Sequence, residues 1–268
     1  MNYVELTNWQ VAFAALLILI NGVISVWLKL RMERSLLVAS IRTVVQLLLV
    51  GLVLEWVFRL DRWYVVVGIA AVMTWIAGWT AASRNSKTYP GLRWNTVVSV
   101  WASSWIVTSF ALLVVLRRTE HWYQPQYAIP LLGMVLGNTL NGISVGLNTF
   151  TDSLLSRRIR IESLLAMGAT RWEASAEVVR HAVRTGLIPI VNSMMVVGIV
   201  SIPGMMTGQM ISGMAPIQAV KYQIVIMFLI ASATSLGTVS AVLLSFHSVF
   251  NAKHQFLHGR IARRNKRA

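Results

Sequence analysis

The chain has 268 residues, 56% of them hydrophobic and only 12% charged, against about 25% charged in an ordinary soluble domain. Its net charge of +15 would suit nucleic acid, but the basic residues sit in short loops between apolar stretches, which argues against a nucleic-acid partner. The absence of cysteine excludes disulfides and thiolate metal ligands.

Taken in chain order, the apolar stretches predict seven membrane spans. They are Trp9–Leu28, Leu36–Phe58, Trp63–Ala82, Trp94–Leu116, Tyr127–Phe150, Leu187–Met206 and Ala219–Phe246. Residues Met1 to Asn8 contain Glu5 and no Lys or Arg, so no secretory signal is expected before the first span. Trp9, Trp27, Trp56, Trp63, Trp94 and Trp122 stand near span ends, where aromatic anchors meet the headgroups. The expected fold is all-α: a polytopic helical membrane protein forming one permease domain over residues 1–268.

The charges orient it. Lys29, Arg31 and Arg34 lie in the first loop, and Arg84, Lys87 and Arg93 in the third. Arg157, Arg158, Arg160, Arg171, Arg180 and Arg184 lie in the fifth, and Lys253, Arg260, Arg263, Arg264, Lys266 and Arg267 in the tail. These alternate segments hold 18 of the 24 basic residues, and the opposite side has only Arg59, Arg62, Arg117, Arg118 and Lys221. The positive-inside rule therefore predicts a multi-pass protein with its N-terminus outside and its C-terminus in the cytoplasm.

Within the second span, Arg42 and Gln46 are one turn apart. An intramembrane charge is a functional candidate, although Arg42 is close enough to the cytoplasmic end to snorkel. Span five repeats small and amide residues: Gly133, Gly137, Asn138, Asn141, Gly142, Gly146 and Asn148. Two GxxxG spacings permit close helix approach, and Asn138 and Asn141 are expected on one face, either as packing amides or lining a polar path.

Between spans five and six, residues 151–186 form the one large loop. Asp152–Met167 reads as an amphipathic helix, Gly168 as its left-handed end, and Thr170 to Glu173 as a capping box starting a second helix at Arg171. A cytoplasmic hairpin results, lying on the headgroups or docking a cytoplasmic protein. Glu162-Ser-Leu-Leu-Ala-Met-Gly168-Ala-Thr resembles the coupling segment of ABC importer permeases, although Pro189 lies farther from Gly168 than the proline of that motif does.

Ser201 to Pro216 joins two apolar stretches without a single charge. Its glycines, prolines and methionines suit irregular backbone at membrane depth, which is tolerated only against protein or a water-filled route. Met194, Met195, Met205, Met206, Met210 and Met214 are packing residues or soft-metal thioethers. His254 and His258, four apart in the basic tail 247–268, lack an evident third metal ligand, and the tail is expected to bind anionic lipid. The metal-ligand set stays unassigned.

Several stretches together resemble the FetB-type (YbbM-like) permeases, membrane subunits of iron-export ABC transporters. They are Arg42–Gly51, Gly133–Asn138, Glu162–Ala169, Ile188–Met195, Ser201–Gln209 and Ala219–Gln223, in the family's order. The resemblance implies a bacterial inner-membrane permease, a homodimer, working with a separate cytoplasmic ABC ATPase. Glu162, Leu165, Gly168, Ala169 and Thr170 are then the ATPase-coupling residues. Arg42, Gln46, Asn138, Asn141, Asn192, Met205, Met206 and Gln209 are the translocation-path candidates. Plant relatives are linked to aluminium tolerance, so the family does not fix one substrate.

The chain has no GxxxxGK[ST] phosphate loop. It is expected to bind no cofactor and to be no enzyme itself, with ATP used by the partner subunit. Two rival readings stay open: an ion-coupled secondary transporter, and a non-transporting membrane partner of a cytoplasmic protein.

Overall fold

In the computed structural model of the chain, the described residues are 7–60, 62–115, 124–251 and 253–263. The expected anchor Trp122, the end of span four at Leu116, Arg117, Arg118, and Arg264, Lys266 and Arg267 of the tail lie outside them. The described chain is helical, with nine α-helices and one two-residue strand pair. It is an all-α polytopic membrane protein, and it divides into two compact units, residues 1–62 and 63–268.

The first unit holds α1 (Asn8–Trp27) and α2 (Glu33–Leu60). Their connection is pinned by Ser25, whose hydroxyl donates to Glu33 at 3.1 Å and accepts from the Met32 amide at 3.0 Å. Lys29 and Arg31 take left-handed backbone conformations in that tight turn. Most of the apolar side chains of both helices are exposed, as lipid-facing surfaces are.

The second unit contains α3 (Trp63–Ser83), α4 (Leu92–Phe110, ending in a π-helical turn over Ala111–Val115) and α5 (Pro125–Ser156). It continues with α6 (Arg158–Ala166), α7 (Arg171–Val196), α8 (Gly204–Ile211) and α9 (Pro216–Val249). Helix α5 packs against α7, α9 and α3. Close approach depends on small residues: a Cβ added to Gly186 of α7 would lie 2.8 Å from the Gly142 carbonyl oxygen and 3.1 Å from the Gly146 Cα of α5. Of the two GxxxG spacings, Gly142–Gly146 is therefore a helix contact. Gly137 has open space around it, and Gly133 meets only Met73 at ordinary contact distance.

Six helices, α1 to α5 and α9, are long and apolar enough to cross a membrane. The predicted sixth span, Leu187–Met206, is not one helix. Helix α7 is polar in its first half, with Glu173, Glu177, Arg180 and Arg184. Its apolar end, Leu187–Val196, rises about 15 Å at 1.5 Å per residue, half of a hydrocarbon core about 30 Å thick. The chain then turns: Gly198 has a φ of +82°, its amide donates to the Ser201 carbonyl at 2.9 Å, and Pro203 precedes α8. The uncharged segment 201–216 thus contains a short helix as well as irregular backbone.

The hairpin also differs from its prediction. Helix α5 runs on to Ser156 and breaks at Arg157, so the expected helix Asp152–Met167 is two pieces. Gly168 ends α6 with a φ of +92°, and α7 starts at Arg171 behind the Thr170–Glu173 capping box, as the spacing predicts. The second helix does not stop short of the membrane-facing part but continues unbroken past Pro189.

The basic tail folds back. Residues 262–263 pair antiparallel with Lys87–Thr88 of the α3–α4 connection. Phe250 and Phe256 stack at 5.1 Å between ring centres, and both are buried with Phe246 in the core. Trp172 meets Phe246 edge-on at 5.7 Å. The tail's first half is therefore a clasp on the polar end of the second unit.

Candidate functional site

Two features of the second unit bear on function. The first is the polar end built by α6 and the tail. Glu162 accepts from the Arg158 guanidinium at 2.8 Å and faces His258 Nδ1 at 3.4 Å, so its carboxylate ties the hairpin to the tail. Arg171 donates its backbone N–H to His254 Nδ1 at 3.0 Å and its guanidinium to the Asn251 carbonyl at 3.3 Å. His254 and His258 thus engage different partners.

Local hydrogen bonds set the carboxylates here. The Thr170 backbone N–H and hydroxyl, each 2.7 Å from Glu173, hold that carboxyl below its ordinary range. Arg157 does the same for Glu177 through a hydrogen bond and its charge. Of the expected coupling residues, Gly168 and Thr170 are exposed and Ala169 is half-buried. Leu165 packs inward on the core. The outermost apolar side chains are Ile159, 81% exposed, and Met167, 75% exposed. The amphipathic pattern counted Ile159 on the helix's apolar face, and the structure places it outward.

The second feature is a cleft of about 330 Å³ between α5, α7, α8 and α9. Met134 and Asn138 of α5, Ile190 and Ser193 of α7, and Val197 and Ser201 of the turn line one side. Pro203, Gly204 and Met205 at the start of α8 and Gln223, Ile226, Met227 and Ile230 of α9 complete it. Among the described residues, none that lines it is charged. Asn138 donates to the Met134 carbonyl at 2.9 Å. Gln223 is only 8% exposed, and its side chain makes no hydrogen bond among the described residues. Its amide atoms are not sealed off by the packing but open onto the cleft, where they are available to a polar occupant.

Of the path candidates, Asn138 and Met205 meet in this cleft. Asn141 does not share it: its amide oxygen accepts from Arg84 at 2.7 Å, on the side of the α3–α4 connection. Asn148 clamps the same connection, accepting from the Ser86 amide at 2.8 Å. Three residues advance a helix about 300°, not a full turn, and here the remaining offset sends the two asparagines to different neighbours. Asn192 is exposed one residue from the cleft-lining Ser193, and Met206 is half-buried without lining the cleft. Gln209, at the far end of α8, has a buried amide oxygen without a partner. Arg42 and Gln46 are exposed on α2 of the first unit. The sequence reading missed Gln223, whose signal was an amide in the first turns of an otherwise apolar span.

The sequence profile of the group described as Uncharacterised protein family (UPF0014) matches residues 8–250. A UPF0014 membrane protein of Synechocystis sp. is 41% identical over 234 residues, covering 86% of this chain and 89% of the relative. The Escherichia coli protein named "Probable iron export permease protein FetB" is 31% identical over 257 residues, covering 96% and 97%. Protein ALUMINUM SENSITIVE 3 of Arabidopsis thaliana is 27% identical over 244 residues, covering 91% and 88%. No solved structure matches the chain.

Proposed function

The chain belongs to the UPF0014 family of membrane proteins, and from that premise we propose that it is the permease subunit of an ABC transporter. A separate cytoplasmic ATPase binds ATP and drives it, and the cleft beside Gly204 is part of the substrate path. The carrying observation is the α6 hairpin, which presents Ile159 at its start and Met167 beside the Gly168 turn to solvent, while Arg160 and Glu162 are tied to Glu177 and His258. Exposed apolar anchors on a short helix that ends in a glycine turn are what a groove on a partner needs.

Export, and iron as the first substrate to test, come from the name of the Escherichia coli relative. The distribution of Lys and Arg supports an outside N-terminus and a cytoplasmic hairpin and tail, and the likeness to bacterial relatives supports a bacterial inner membrane. A homodimer supplies two hairpins to a pair of ATPase subunits.

Co-expression with a candidate ATPase tests this. The complex should co-purify and show ATPase activity that requires this chain and rises with iron, supplied free or as an anionic chelate. Ile159→Glu and Met167→Glu should each lower co-purification about tenfold, in line with the loss of about 1.4 kcal/mol at a buried apolar contact, while the permease elutes normally. Undiminished co-purification of both variants would remove α6 as the docking surface.

A further inference from the structure

We propose that the cleft beside Gly204 is an oxyanion site, so that the species it takes carries a carboxylate or phosphate group and is not a bare metal cation. The claim that this species is transported rests on the permease reading; the chemistry of the site rests on geometry.

Helix α8 begins in the cleft. Pro203 precedes it without a side-chain cap, and Gly204 and Met205 line the cavity. The first amide N–H groups of a helix have no acceptor within it, and together they carry roughly half a positive charge. Facing them from α9 is Gln223, more than nine-tenths buried and without a hydrogen-bond partner among the described residues. An anionic oxygen would satisfy both at once.

A bare divalent cation fares badly in the same place. Among the described residues no carboxylate or imidazole lines the cleft, and the Met134, Met205 and Met227 thioethers are neutral, soft donors. The helix dipole would repel the ion, and apolar walls would magnify that repulsion. A metal carried as an anionic chelate, or an anionic substrate without metal, meets the site's chemistry.

The test uses the whole chain in phosphatidylcholine nanodiscs, titrated calorimetrically with citrate, inorganic phosphate, Fe(II) alone and Cu(I) alone. At least one of the two anions should bind, and neither cation should. Gly204→Asp places a carboxylate at the start of α8, where an added Cβ meets nothing within 4 Å, and should weaken anion binding at least tenfold. Gly208→Asp, equally open on the same helix, should leave it unchanged.

Gln223→Leu should weaken binding as well without lowering the thermal midpoint, which a misfolded variant would not do. Binding of a bare cation to the unaltered cleft, or anion binding indifferent to Gly204→Asp, overturns the proposal. Repeating the titration with phosphatidylglycerol separates a soluble ligand from a lipid headgroup: displacement of citrate by the lipid overturns the soluble-ligand site.

Reconstitution with the ATPase distinguishes the two readings. Gly204-sensitive anion binding without any anion effect on ATPase activity supports the site and rejects it as the substrate path. ATPase activity that requires this chain, without anion binding, rejects the site and keeps the permease.

Discussion

Tyr89 ties the α3–α4 connection to α9 by a hydrogen bond between its hydroxyl and Ser245, which in turn donates to the Ala241 carbonyl at 2.5 Å. Burial pushes its ionisation up from 10.0 to about 12. Because the folded value is the higher one, this contribution is complete below about pH 10 and is lost as pH rises through about 12. Tyr89→Phe should cost about 1 kcal/mol near neutral pH, read as a lower thermal midpoint. It should also remove the steep part of the alkaline stability loss; superimposable alkaline curves would count against that account. At Gly186 the neighbours of an added Cβ include backbone on two sides, which cannot rotate away. Gly186→Leu should therefore destabilise by about 1–3 kcal/mol or more, while Gly137→Leu, in open space, should be nearly neutral. Equal effects in a thermal-shift comparison would contradict the packing assignment.

At the scale of elements, the clasp formed by residues 250–263 should govern the hairpin. Deleting it removes His258 from Glu162, His254 and Asn251 from Arg171, and the strand partner of Lys87–Thr88. Hydrogen exchange over residues 158–170 should then rise at least tenfold, with protection in α5 and α9 retained; unchanged exchange would show the hairpin to be self-supporting. The Thr170–Glu173 cap was legible in the sequence because capping is local, three residues read together. The clasp was not, because its aromatics show no helical or strand period and its partners lie far away in sequence. Break points followed the same division. Gly168 announced a turn, whereas the continuation of α7 past Pro189 depended on neighbours that sequence spacing does not reveal.

For the whole molecule, the spans were readable because crossing a hydrocarbon core is a length and polarity condition on one segment at a time. The exception, Leu187–Met206, satisfied that condition in composition but not in backbone. The cleft was only half readable. Asn138 and Met205 stood out as an amide and a thioether in unusual company, but their meeting with Gln223 is a product of α5, α8 and α9 packing together. Asn141 looked equivalent to Asn138 and was drawn off by Arg84, an interaction invisible to periodicity.

The pairing of Lys87–Thr88 with Ala262–Arg263 also dictates an order of events during biosynthesis. The first of these strands leaves the ribosome before α4, and its mate follows only after α9. Until then the spans can insert while their polar end stays open, with the sites for Phe250 and Phe256 unfilled. A chain interrupted within α9 would be a membrane-embedded protein with an uncovered apolar socket, recognisable to quality-control proteases by what it has not yet received.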